Sequence, residues 1–161
     1  MPKATITTFW LVDPADVDEL VAVIEQQQRS GRGWVNLRPD FGDNTPPAPK
    51  PSWFSGRGPI LPLVSFVPGK TTRDTTHDGT TRPTMLGLEH GAGPKAVPKL
   101  REAGLAPDPA WRLRQDHGRR GIVVEVPSTS PTEPLLRWAL AAAGVLCTLH
   151  LPSSWTVELW A

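Results

Sequence analysis

TMLGLEHGAGPKAVPKLREAGLAPDPAWRLRQDHGRRGIVVEV, residues 84–126, decides the architecture. Thr84 to Glu89 reads as a strand, and Pro94 to Ala103 as a short helix stopped by Gly104. Trp111 to Val126 reads as a hairpin around Gly118-Arg119-Arg120-Gly121. Pairing its arms sets His117 opposite Ile122, Gln115 opposite Val124 and Leu113 opposite Val126. The other face then pairs Asp116 with Val123 and Arg114 with Glu125. This register gives one largely apolar face and a cross-strand ion pair outside, the alternation a half-buried hairpin favours.

Downstream, Ser130-Pro131-Thr132-Glu133 matches a capping box with proline at the first helical position, and Pro134 can shift the start by a residue or two. Leu135 to Cys147 continues as a helix with Leu136, Leu140, Ala143 and Cys147 aligned. Trp138, Ala139 and Leu146 make it apolar on more than one side, so it is expected to be well buried. Trp155 to Trp160 alternates, with Trp155, Val157 and Leu159 on one face. From residue 84 to 160 the order is therefore strand-helix-strand-strand-helix-strand, the ferredoxin-like, split strand-helix-strand order.

Working toward the N-terminus, Ala4 to Val12 has strand composition and stops at Asp13-Pro14. Asp13 can cap a helix with Pro14 at its first position, and Val17, Leu20, Val21 and Ile24 then share one face. That helix is expected to end near Gly31 or Gly33, before a short strand at Trp34 to Leu37. The expectation is an α+β fold, a mainly antiparallel sheet covered by helices, with the 84–160 unit extended by this N-terminal strand-helix-strand unit.

Between the two halves, residues 38–59 are dense in Pro, Gly and Asp and read as a long loop carrying Trp53 and Phe54. Ile60 to Val67 returns to strand composition, with Pro62 suited to an edge or a bulge. Pro68 to Pro83 holds six threonines, two aspartates and His77 and is almost without apolar residues. Loops longer than about 12–15 residues are unusual inside a compact domain and tend to be functional covers or insertions. At 161 residues, one domain over 1–161 is the default.

With 17 basic and 16 acidic side chains the net charge is +1, far from the excess expected of a chain held to nucleic acid mainly by charge. Any anion site must be local. The single cysteine, Cys147, allows no intrachain disulfide, which points to a reduced compartment. The segment Met1-Pro2-Lys3-Ala4-Thr5 lacks the apolar core of a signal peptide, and no apolar run approaches the roughly 18 residues of a spanning helix. A soluble, cytoplasmic protein without a membrane role is expected.

Two loops are candidates for a site. In the first, Gly91-Ala92-Gly93 precedes a helix, a turn that lets backbone amides approach an anion, with Lys95 adding positive potential. In the second, Arg119-Arg120 at a glycine-bracketed tip can clamp a phosphate or carboxylate, because guanidinium forks match both. Both loops follow strands of one sheet, so a site for an anionic small molecule or a protein partner is expected from His90, Gly91, Gly93, Lys95, His117, Arg119 and Arg120.

Four histidines, His77, His90, His117 and His150, titrate nearest neutrality. None forms a local H-x-x-x-H pair and there is no C-x-x-C, so no metal ligand set is assigned and the cofactor stays open. A distributed site is the alternative. His90 and His117 with Glu89, Asp116 or Glu125 can hold a divalent metal or move a proton, which would make the chain an enzyme. No G-x-S-x-G, Walker A, H-E-x-x-H or six-residue dinucleotide fingerprint is present, so the main motif-defined enzyme classes have no support.

Residues 91–105 resemble the hairpin half of a helix-hairpin-helix DNA-binding motif. Gly91, Ala92 and Gly93 match its turn, Lys95 is a basic neighbour, and Ala96, Leu100 and Gly104-Leu105 fall at its packing and stop positions. That resemblance implies nucleic-acid binding through the Gly91–Gly93 turn. It departs where Thr84 to His90 replaces the first helix with a strand and where Pro98 interrupts the second. The complete chain resembles small proteins of GC-rich actinobacterial genomes, on the blocks Trp10-Leu11-Val12-Asp13-Pro14, His90 to Ala96, and Gln115 to Gly121. No activity is attached to that group, and the resemblance implies no residue-level role.

Overall fold

The computed structural model describes residues 4–10, 17–44, 58–69 and 82–160, with the backbone alone for 4–10. Seven strands and three α-helices are described: β1 (Ala4–Trp10), α1 (Val17–Ser30), β2 (Trp34–Pro39), β3 (Leu63–Val67), β4 (Thr84–Glu89), α2 (Ala96–Glu102), β5 (Arg112–His117), β6 (Gly121–Val126), α3 (Thr132–Leu146) and β7 (Ser154–Trp160). A short 3-10 turn, Gly42–Asn44, follows β2. The cap expected at Asp13-Pro14, and the Trp53, Phe54 and His77 segments, lie outside the described residues. No helix among those described is long and apolar enough to cross a membrane.

The strands form one sheet in the order β1-β7-β2-β3-β4-β6-β5, and every neighbouring pair is antiparallel. The expected α+β class, an antiparallel sheet covered by helices, is what the structure has. β1 and β2 both pair with β7, so α1 joins two strands that point the same way with a third between them. The same device recurs where α2 joins β4 and β5 around β6. Two strands, β2 and β3, separate β7 from β4. The connection from β6 through α3 to β7 therefore crosses the sheet's centre. Its helix packs on β3 and between α1 and α2.

Period-two burial on the strands meets the helical stripes in one core. Val35 and Leu37, Val64 and Phe66, Leu86 and Leu88, Ile122, Val124 and Val126, and Trp155 and Val157 are buried under the helices. Leu20 and Ile24 of α1, Val97 and Leu100 of α2, and Leu136, Ala139 and Ala143 of α3 close over them. Alternate residues such as Asn36, Ser65, Met85 and Val123 are only half-buried, on the face away from this core. Trp138 locks the loop before β5 to α3: its indole N–H donates to the Leu105 carbonyl at 3.0 Å, and its ring meets Trp111 edge-on at 5.4 Å.

Four sequence expectations change in detail. β2 continues through Arg38 to Pro39, because Arg38 pairs with Glu158 across the ladder at 3.2 Å and proline closes the strand's end. β3 begins only at Leu63, since Pro62 has no N–H to give to a ladder. α3 starts at Thr132, capped by Pro131 without a side-chain bond, so the Ser130–Glu133 capping box does not form. The Ser130 amide instead closes a turn onto the Pro127 carbonyl at 2.9 Å, and Glu133 pairs with Arg137 at 2.9 Å.

The fourth is the hairpin register. His117 faces Gly121, Asp116 faces Ile122 and Gln115 faces Val123, and an irregularity at Arg114 then sets Leu113 against Val124. The turn takes three residues, with Gly121 left-handed at φ 84° as the first ladder position beyond it. The expected apolar face consequently belongs to β6 alone, and Leu113 is 43% exposed on the sheet's edge. The Arg114–Glu125 ion pair forms at 2.9 Å even so, reached from the irregularity.

Candidate functional site

The two loops predicted to carry a site come together at the end of β4. Gly58 lies against both. A Cβ there would stand 2.4 Å from the His90 carbonyl oxygen and 3.0 Å from that of Arg119. The 58–60 segment also runs beside Gly91, whose own Cβ would meet the Pro59 oxygen at 2.9 Å. His90, Gly91, Gly93 and Lys95 on one loop and His117, Arg119 and Arg120 on the other are thus neighbours in the fold.

Asp116 is the residue that joins them. Lys95, the N-cap of α2, sits in the left-handed region at φ 59° and gives no side-chain cap, as a cation cannot accept an N–H. The carboxylate of Asp116 reaches over from β5 instead, Oδ1 accepting from the Ala96 amide and Oδ2 from the Val97 amide, both at 3.0 Å. The first two amides of α2, just after the glycine turn, are therefore already bonded to an anionic group of the chain. Pro98, expected to interrupt the helix, sits in the first turn of α2, where a missing N–H costs nothing.

Two bonds at Ala92 also hold the turn. The Ala92 amide donates to His90 Nδ1 at 3.2 Å, and Lys99 Nζ donates to the Ala92 carbonyl. His90 is 1% exposed, and its Nε2 has no hydrogen-bond partner. Because Nδ1 accepts, the neutral ring carries its proton on Nε2. Burial lowers the pKa of this imidazole below its ordinary value; the Asp116 carboxylate acts in the opposite sense, and the Lys99 ammonium reinforces the lowering.

At the hairpin tip, His117 Nδ1 accepts from the Arg119 and Arg120 amides at 3.1 and 3.3 Å, so this ring serves its own turn. Gln115 Nε2 donates to the carbonyls of Arg120 and Gly121 at 3.3 and 3.2 Å. The side chains of Lys95, Arg119 and Arg120 remain exposed at this end. Among the described residues, no group of three or more His, Cys, Asp or Glu side chains is placed to hold a metal ion. His150 is exposed in the connection before β7, and half-buried Cys147 donates its S–H to the Ile60 carbonyl at 3.4 Å.

The opposite end of β4 holds a feature that the sequence reading passed over. A cleft of about 640 Å³ opens between the last turns of α1 and the start of α3, with Glu25, Arg29 and Arg32 on one wall and Ser128, Thr129, Ser130 and Thr132 on the other. Thr84 and Gly69 close its base, the Gly69 amide donating to Thr84 Oγ1 at 3.2 Å. Buried Thr132 donates to Gln28 Oε1 at 3.1 Å and ties the two helices at this rim. Arg32 is held by its backbone, its carbonyl accepting from Gln27 Nε2 at 2.9 Å, while its side chain stays exposed. The signal in the sequence was the hydroxyl run Ser128-Thr129-Ser130 just before a helix, with Arg29 and Arg32 flanking the glycine that stops another.

The chain matches no protein-family model, no curated protein and no solved structure.

Proposed function

We propose that the protein is a binding module for a small polar molecule carrying an anionic group, and that the α1–α3 cleft is where it binds. The composition of the cleft carries this reading: two arginines and six hydroxyl side chains line about 640 Å³, a volume in the range of small-molecule sites. Guanidinium forks suit carboxylate and phosphate oxygens, and hydroxyls both donate and accept. Glu25 on the same wall limits the positive excess, so a ligand with one anionic group and hydroxyl or amine functions fits better than a polyanion.

Backbone amide spectra recorded during titration with inorganic phosphate, a sugar phosphate and a nucleoside monophosphate test it. Signals of Ser128 to Thr132 should move with a saturable dependence on at least one of these. The Arg29→Ala, Arg32→Ala double variant should lose most of the response. Unmoved signals at millimolar concentrations of all three would defeat the reading.

A second reading keeps the His90–Lys95 turn and the His117–Arg120 tip as the site, for an anionic ligand or a protein partner. It is favoured by the way both loops adjoin Gly58 and leave Lys95, Arg119 and Arg120 exposed at one end. Contact there would fall to side chains, given that Asp116 holds the α2 amides. Replacing Lys95, Arg119 and Arg120 together should abolish such binding without unfolding the chain. For the fold itself we infer a ferredoxin-like unit in 84–160, opened between its first and last strands by the inserted β2–β3 pair. For the compartment we infer the cytoplasm, on the single free thiol.

A further inference from the structure

The two edges of the sheet are built differently, and the difference points to a partner. β5 closes one edge with Arg112 and Arg114 exposed, with Asp116 turned to α2, and with the ladder broken at Arg114. Charges and an irregularity are the means by which an edge strand is kept from pairing with another chain. β1 closes the other edge with Ala4-Thr5-Ile6-Thr7-Thr8-Phe9-Trp10, which contains no charged residue and no proline. All seven of its residues pair with β7 in unbroken register, from Ala4 opposite Trp160 to Trp10 opposite Ser154. Among the described residues, no strand pairs with its outer side.

An antiparallel strand leaves alternate backbone N–H and C=O groups pointing away from its one neighbour. β1, paired with β7 along all seven of its residues, offers that row on its other side. We propose that it joins the same edge of a second copy of this chain, antiparallel across a twofold axis, so that one sheet runs through both molecules. A second copy fits better than a foreign strand for two reasons. A twofold antiparallel pairing is self-complementary in its backbone bonds. With the axis at Thr7, every residue of 4–10 faces an uncharged one, so no like charges oppose the match and none selects another partner.

The mass of the full chain in solution, by light scattering on a sizing column, should be twice 17.5 kDa and fall toward that value on dilution. Amide exchange in the unsubstituted protein locates the contact without any variant. In the dimer, consecutive amides from Thr5 to Phe9 should all be protected; on dilution every second one should exchange quickly. Thr7→Lys sets two like charges across the axis and should shift dissociation to at least tenfold higher concentration, with the circular dichroism spectrum kept as the check on folding. A monomer at high concentration overturns the proposal. So does a dimer in which alternate β1 amides exchange quickly, because it must then form through another surface.

Discussion

The two ends of β4 look alike in outline and differ in what fills them. At each, a strand end meets a helix N-terminus beside basic side chains. At the Glu89 end, Asp116 occupies the first two amides of α2, His90 is buried, and Lys99 donates to the Ala92 carbonyl of the turn. At the Thr84 end, α3 starts without a side-chain cap from Pro131 and a cleft stands open before it. The chain has spent its own anionic group on one end, which makes that end a source of stability. A glycine-rich turn before a helix is therefore no guide to ligand binding until the partner of its amides is known.

The largest effects should come from the filled end. A Cβ on Gly121 would lie 2.2 Å from the Leu88 carbonyl oxygen, at a φ of 84° that side chains rarely adopt. Gly121→Ala should cost about 3 kcal/mol or more, since left-handed strain and backbone displacement add. Chemical denaturation measures this, and a loss below about 1 kcal/mol would mean that the tip does not press on β4 as described. Asp116→Ala should cost about 1–3 kcal/mol by leaving two helix amides without their acceptor. Fast exchange of the Ala96 and Val97 amides in that variant, beside slow exchange in the parent, would tie the loss to the cap. Unchanged stability would break the comparison at its root.

Most of the fold was legible because it rests on period. β4, α2, the hairpin, α3 and β7 follow from alternation and helical spacing, and each lies within a few residues of where the pattern put it. What the pattern could not show was neighbourhood. The interval between β6 and β7 reads as one helix and a turn, yet their connection crosses three other strands, a choice made by which apolar faces fit together. The hairpin register slipped because the turn needs Gly121 in a left-handed conformation, while alternation alone favours the symmetric pairing. At the site, the residue types were visible and the bonds between them were not. Asp116 read as a carboxylate that could join His90 and His117 at a metal or proton-transfer site, whereas the structure turns it to α2, some 20 residues back along the chain. The cleft was missed because its walls come from 25–32 and 128–132, segments that meet only when α1 packs on α3.

His90 sharpens the comparison through pH. Its folded pKa lies below 6.5 and its unfolded pKa near 6.5, so the unfolded chain takes up a proton first as pH falls. The contribution of the neutral, buried ring is complete above about pH 6.5 and is lost progressively as pH drops from there toward the folded pKa. Protonation also turns Nδ1 from acceptor to donor against the Ala92 amide, so the turn should loosen with it. Thermal midpoints measured from pH 7.5 to 4.5 should fall across this window in the parent and fall less in His90→Gln. Parallel curves for the two proteins would remove His90 from the account of the filled end.

The smallest effect on stability is expected at the open end, and its smallness is the point. Arg29 and Arg32 are exposed and stand on the wall of the cleft, where surface side chains contribute within about 0.5 kcal/mol. The Arg29→Ala, Arg32→Ala variant should therefore unfold within about 0.5 kcal/mol of the parent in ligand-free buffer. With an anionic ligand near 100 times its dissociation constant the parent should gain roughly 2.7 kcal/mol that the variant lacks. A site kept for a ligand shows such a difference only when the ligand is present, whereas an internal cap shows its full cost in plain buffer. If the double variant is strongly destabilised without ligand, the arginines belong to the fold's own bonding and the two ends of β4 are alike after all.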